Sequence, residues 1–168
     1  MKARLGEEGA YPAESFRLVP LAADSPESLL RGLEALVAEQ AADEGRAPDP
    51  AAPARVREFV RSGGGAFAHL LVGPGDEAAA YQLSNECRTF GGRYAYVNET
   101  YVAKARRGLG LGFVLVRAYL EWAKGRGLTH VYSRTSSPEM RRVVEALGAR
   151  VKGVDWVDFD LGARESGR

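Results

Sequence analysis

Residues Arg107-Gly108-Leu109-Gly110-Leu111-Gly112 are the first that could do chemistry, by holding a diphosphate. A helix N-terminus presents backbone N–H groups that have no intrahelical partner. The helix macrodipole adds partial positive charge at the same end. Glycines remove the Cβ atoms that would keep a phosphate away from those amides. In this chain the glycine turn follows a strand pattern, Tyr94 to Val102. It precedes a helical pattern through Phe113, Val116, Tyr119 and Leu120. Lys104, Arg106 and Arg107 add cations beside the turn, either to attract phosphates or as a solvated basic loop. Gly108, Gly110 and Gly112 could also serve only as a tight strand-to-helix connection.

Two other phosphate motifs fit less well. A Walker loop requires lysine and a hydroxyl residue after its glycines, and no lysine follows these. A dinucleotide fingerprint requires a third glycine at fixed spacing and an acid near the end of the next strand. The third glycine is missing after Gly108-x-Gly110, and the next strand, His130 to Thr135, carries Arg134 and no acid. A general nucleotide-binding domain is therefore the weakest reading.

Arg107-x-x-Gly110-x-Gly112 resembles the R/Q-x-x-G-x-G/A signature of the GNAT N-acetyltransferase superfamily. The preceding Val97-Asn98-Glu99-Thr100-Tyr101-Val102 is similar to that family's I-E-D-L-Y-V strand. The likeness runs in order, more weakly, over about Phe16 to Leu161. It implies that acetyl-coenzyme A is the acyl donor. It implies that the amides of Arg107, Gly108, Leu109, Gly110, Leu111 and Gly112 hold the pyrophosphate, and that Tyr101 and Val102 lie along the pantetheine arm. The Val102 N–H would stabilise the oxyanion. Glu99, aligned with the D of the family strand, would be the general base for a primary amine acceptor, a small molecule or a peptide. Its bland alternative is an exposed strand acid or a partner for Arg88 or Arg93.

The resemblance has a gap. The family often carries a tyrosine four residues before the glycine that ends the fourth helix, as the acid for the leaving thiolate. Counting back from Gly148 gives Val144, which has no proton to donate. The family's asparagine seven residues earlier maps to Ser137, which could bind pantetheine or simply cap its helix. Tyr132 and Ser136 are nearby substitutes for the acid. Val144 motivates an alternative function: a catalytically weak acetyl-coenzyme A sensor of the same fold. Members of the family often pair, so the resemblance also admits a homodimer.

The whole chain sets bounds on partners. Its 168 residues have the size of one domain. A net charge of +1 argues against nucleic acid or a membrane surface as the main partner. No apolar run is long enough for a membrane span, and no signal pattern opens the sequence. The single cysteine, Cys87, cannot form an internal disulfide, so the expectation is a cytoplasmic protein. His69 and His130 have no companions at ligand spacing, so no metal is expected. His69 reads as a core or edge histidine.

The elements that must position these residues follow in order. Met1–Glu14 and the tail from 163 to 168 read as flexible. Phe16–Leu21 is a strand. Ser25-Pro26-Glu27 opens a helix, with Ser25 as N-cap. Asp43–Pro53 is a proline-rich loop, either a wall of an acceptor pocket or a plain connection. A short helix through Val56 and Phe59 ends at Ser62-Gly63-Gly64-Gly65. Strands Ala66–Val72 and Ala78–Phe90 follow, and Gly91-Gly92 predicts a two-residue hairpin turn into Tyr94–Val102. That turn would set Glu99 opposite Ser84, Val97 opposite Glu86 and Tyr101 opposite Gln82. After the Phe113 helix come the His130 strand and a helix opened by Ser137-Pro138-Glu139. Val151–Leu161 closes the domain as a hairpin or one long strand. The order predicts an α/β (α+β) protein with a mixed, mostly antiparallel central sheet and helices on both faces, as in the acyl-coenzyme A N-acyltransferase fold.

Overall fold

A computed structural model describes residues 15–63, 66–89, 92–135, 137–153 and 155–162. Both chain ends assigned as tails, Gly64, Gly65, the Gly91 of the expected hairpin turn, and Ser136 lie outside the described residues. Seven strands form one sheet: β1 (Arg17–Pro20), β2 (Ala66–Val72), β3 (Ala78–Thr89), β4 (Gly92–Val102), β5 (His130–Arg134), β6 (Arg150–Lys152) and β7 (Trp156–Asp160). Their spatial order is β1-β2-β3-β4-β5-β7-β6, antiparallel except for the β4–β5 pair. The helices are α1 (Glu27–Asp43), α2 (Ala52–Ser62), α3 (Leu111–Gly125) and α4 (Pro138–Ala146). The closing segment is thus a hairpin, broken at Gly153, where φ is +64°.

The two faces are covered differently. Leu30, Leu33 and Leu36 of α1 and Val60 of α2 pack on Leu70, Tyr81, Leu83 and Tyr101. Alternation sends Phe67, Ala95, Val131 and Val157 to the other face, against α3 and α4. Each such apolar side chain taken fully out of water contributes about 1.5–3 kcal/mol. Helix α1 crosses β3 closely: a Cβ on Gly32 would stand 2.9 Å from the Ala78 Cβ. Arg57 of α2 reaches Glu27 and Glu34 of α1 and clasps the two helices. Arg57 above all holds the Glu27 carboxyl down at about 2.

Helix caps divide the two Ser-Pro-Glu motifs. Ser137 caps α4: its Oγ accepts from the Met140 N–H at 3.2 Å. Ser25 does not cap α1, contrary to expectation. Its Oγ instead accepts from the Ala22 N–H, and Pro26 stands at the cap, its carbonyl accepting from Leu29 and Leu30.

The β3–β4 register also differs from the one expected. Thr89 faces Gly92, so Gly92 belongs to the ladder rather than to the expected Gly91-Gly92 turn. A bulge between Leu83 and Ser84 then leaves Asn98 as the extra residue of β4. Beyond it Glu99 faces Leu83 and Tyr101 faces Tyr81. A shift by one residue exchanges the two faces of a strand. Glu99 accordingly lies on the α1 side, and Val97, opposite Ser84, on the α3 side.

His69 stacks on Phe67, centroids 3.8 Å apart, and its buried Nδ1 has no partner among the described residues. Burial pushes its imidazole down from 6.5 to about 4. Between those values the unfolded chain binds the proton and the folded one does not, so stability falls as pH drops from 6.5 toward 4. Replacing His69 with leucine is expected to flatten the fall in thermal midpoint over the upper part of that window. Equal slopes for the two proteins would contradict the role of this histidine.

Candidate functional site

The pairing of β4 with β5 stops at Tyr96–Tyr132, although β4 continues to Val102. Past the Asn98 bulge the two strands part, and the β5-facing backbone groups of β4 have no ladder partner among the described residues. A short 3-10 turn, Lys104–Arg106, carries the chain from β4 to the glycine loop. Gly108 and Gly110 take φ of +81° and +74°, a left-handed conformation costly to side-chain-bearing residues. This pair of turns aims the loop amides outward at the start of α3. Among the described residues the N–H groups of Gly108, Leu109, Gly110, Leu111, Gly112 and Phe113 have no protein acceptor. The first bond of the helix is Val114 N–H to the Gly110 carbonyl. A Cβ on Gly108 would meet nothing within 4 Å, whereas one on Gly112 would lie 3.3 Å from Met140 Cε and 3.9 Å from Val102 Cγ2. Gly108 leaves the loop bare, and Gly112 lets α3 approach α4 and the end of β4.

The cations of the loop already have partners. Arg107 donates to Asp43 at the end of α1 and, at 3.4 Å, to the Val102 carbonyl, with its guanidinium 5.4 Å over the Tyr101 ring. Lys104 pairs with Asp43 at 3.3 Å, and Arg106 with Glu77 at 2.9 Å. Arg107 first, then Lys104, hold the Asp43 carboxyl below the usual carboxylate range. The basic residues tie the loop to α1 and to the β2–β3 turn. Tyr101 turns its hydroxyl to α1, donating to Glu39 at 3.1 Å, and burial chiefly pushes it up to about 12. The Tyr101 side chain is thus taken up on the α1 face. Ser137, besides capping, donates to Glu139 at 3.0 Å.

Glu99 is exposed on β4, and its Oε2 accepts from Gln40 Nε2 at 2.8 Å. The same nitrogen donates to Glu44, also at 2.8 Å, while Tyr81 OH donates to Gln40 Oε1. Both amide hydrogens and the carbonyl of this buried glutamine are therefore committed. Burial, then Glu99 and Glu44, raise the Tyr81 phenol, which keeps it a donor in this chain of bonds. Oε1 of Glu99 has no hydrogen-bond partner among the described residues. Of the two partners weighed for Glu99 from sequence, Arg93 instead donates to Glu86 at 2.7 Å, and Arg88 pairs with the same carboxylate at 3.7 Å.

Glu99 and Asn98 edge a cleft of about 240 Å³. Tyr81 and Leu83 floor it, and Val37, Val56 and Phe59 supply apolar walls. Arg46, in the α1–α2 loop, and Arg55 stand at its rim. The proline-rich loop is thus part of a wall. Sequence reasoning missed Gln40, Tyr81, Arg46 and Arg55. Their contacts across the cleft join residues distant in sequence, and nothing in the loop's composition pointed Arg46 inward.

Of the two substitutes weighed for the thiolate acid absent at Val144, Ser136 lies outside the described residues and Tyr132 lies off that face. Val144 is buried in the α3–α4 core. Tyr132 points to the opposite side from Val131 and sits among Tyr94, His130 and Trp156. Among the described residues no group of three or more His, Cys, Asp or Glu could hold a metal ion, and no helix is long and apolar enough to cross a membrane.

A mixed sheet splayed at β4–β5, with a bare-amide turn feeding α3 beside the gap, defines an acyl-coenzyme A N-acyltransferase fold. The sequence model of the Acetyltransferase (GNAT) family matches residues 33–148, and the chain belongs to that family. A GNAT-family acetyltransferase from Staphylococcus aureus Mu50 superposes with a TM-score of 0.70 at 12% identity, covering 88% of this chain and 99% of that one. A GCN5-related N-acetyltransferase from Kribbella flavida gives 0.71 at 17% identity, with the same 88% and 99% coverage. A GNAT-family acetyltransferase from Brucella melitensis, solved in complex with acetyl-coenzyme A, gives 0.66 at 11%, covering 88% of each chain. No curated protein matches by sequence.

Proposed function

We infer that this protein moves an acetyl group from acetyl-coenzyme A directly to a primary amine held in the cleft beside Glu99. The observation that carries this reading is the run of unpartnered amides from Gly108 to Phe113, set beside the opening between β4 and β5. Those amides would hold the diphosphate, with the charge-on-dipole preference of a helix N-terminus. The gap would take the pantetheine arm along Val102. Arg107 acts on this reading by fixing the strand end and loop, through Val102 and Asp43, rather than by reaching a phosphate.

Glu99 Oε1 is free to receive the proton of the attacking amine, directly or through water. The nitrogen lone pair attacks the thioester carbonyl, the carbon–sulfur bond breaks, and the sulfur departs as thiolate. β5-facing backbone N–H groups of β4 supply donors for the oxyanion. Water is the proton source for the thiolate on this reading, since Val144 has none to give. A second reading, a weakly active acetyl-coenzyme A sensor, is favoured by that same Val144.

Thiol release decides between them. The protein with acetyl-coenzyme A is expected to release free thiol when offered amines from a panel of polyamines, amino acids and peptides. Thermal stabilisation by acetyl-coenzyme A with no release across the panel would favour the sensor. Stabilisation by adenine or nicotinamide nucleotides alone would overturn both.

A further inference from the structure

We propose that the acceptor is an amino acid with an apolar side chain, its amine at Glu99 and its carboxylate at Arg46 and Arg55; this rests on the transferase reading above. The cleft carries groups of both signs. From β4 comes Glu99, with one carboxylate oxygen uncommitted. From the α1–α2 loop and α2 come two guanidinium groups. Arg46 pairs through Nε with Glu44 at 2.7 Å, and Arg55 donates one Nη2 hydrogen to Asp49. The remaining N–H groups of both forks have no protein partner among the described residues. Both pairs are more than half exposed on the arginine side, so they contribute little that a substrate would have to break.

Asp49 also accepts from the Ala51 N–H at 2.9 Å at the start of α2, and so holds Arg55 to the rim. A guanidinium fork matches a carboxylate in a two-point contact. A purely cationic amine would meet these arginines as like charges. A carboxylate would be repelled by Glu99 and drawn to the uncommitted guanidinium N–H groups of the rim, which orients the molecule with its amine at Glu99. Beside these groups, Val56, Phe59 and Leu83 line the same cleft with apolar surface, which suits a leucine-, methionine- or phenylalanine-like side chain branching from the carbon that carries amine and carboxylate.

The test uses leucine, methionine and phenylalanine, each beside its decarboxylated amine and its methyl ester. The ester keeps the body and removes the negative charge. The amino acid is expected to exceed both partners in kcat/KM by about tenfold or more, the scale of a hydrogen bond to a charged group. In R46A/R55A the amino acid's advantage is expected to shrink by a similar factor, through KM. Binding of the same compounds to the protein saturated with coenzyme A is measured by calorimetry alongside. Amine and ester used as well as the amino acid would overturn the proposal and leave acetyl transfer standing. Amino-acid binding that R46A/R55A weakens, without thiol release, would uphold the amino-acid site but remove the transferase reading and the acceptor role with it. No binding and no release with any of the amino acids would overturn it, as would an advantage that survives R46A/R55A.

Discussion

The Gly110→Asp variant is expected to bind coenzyme A at least about 100-fold more weakly than the parent, because like charges opposed across a contact cost several kcal/mol. Gly110 is the residue before α3, with φ of +74° and a carbonyl that receives the first helical bond. Any side chain there carries backbone strain, and strain alone could lower stability. Gly110→Asn separates the two effects. Asparagine has nearly the shape of aspartate and tolerates the left-handed region better than most residues. Both variants are expected to melt a few degrees below the parent, whereas only aspartate puts a negative charge among amides that would receive a diphosphate. Calorimetric titration with coenzyme A, beside thermal midpoints, reads both quantities. An Asp variant that binds coenzyme A as tightly as the Asn variant would move the phosphate site away from this loop.

The glycine loop was legible because local chemistry dictates it. Left-handed turns need glycine, a helix start needs no partner for its amides, and both facts sit in consecutive residues. The sheet, the four helices and their order were legible for a similar reason, since period and punctuation are local. Ser137 was readable as a cap, yet Ser25, in the same Ser-Pro-Glu motif, was not one. There the chain leaving β1 turns at Ala22, and the serine hydroxyl is taken by that turn.

The β3–β4 register depended on a bulge, and a bulge leaves no mark in composition. One extra residue, Asn98, moved Glu99 to the α1 face, and only with that move does it meet Gln40. Contacts such as Gln40–Glu99 and Arg107–Asp43 join residues far apart in sequence, 59 and 64 positions respectively. They follow from the packing of α1 over the sheet, which the Gly32–Ala78 approach sets. Arg106 and Lys104 read as free cations only because their acids, Glu77 and Asp43, come from other elements.

Replacing Glu99 with glutamine is expected to lower kcat by about 100-fold or more, within the range that general-base removal produces. The expected loss is full where the parent's carboxylate is ionised and shrinks down the acidic limb, where the parent loses its base as well; the variant's profile lacks that limb. The substitution preserves shape, so the hydrogen bond from Gln40 can be met by the new amide's oxygen, and the fold stays intact. What is lost is the proton-accepting power of Oε1, the oxygen with no partner among the described residues. Gln40→Leu provides the contrast. It leaves the carboxylate in place but removes the donor that orients it and the acceptor for Tyr81 OH. In that variant the ionisation persists in the profile while kcat falls, because Glu99 keeps its chemistry and loses its aim. A Glu99→Gln protein whose acidic limb matches the parent would assign proton removal to water or another group and reduce Glu99 to a wall of the cleft. Identical profiles in Gln40→Leu and Glu99→Gln would instead mean that the carboxylate acts only as part of the Gln40 network, by holding the cleft's shape.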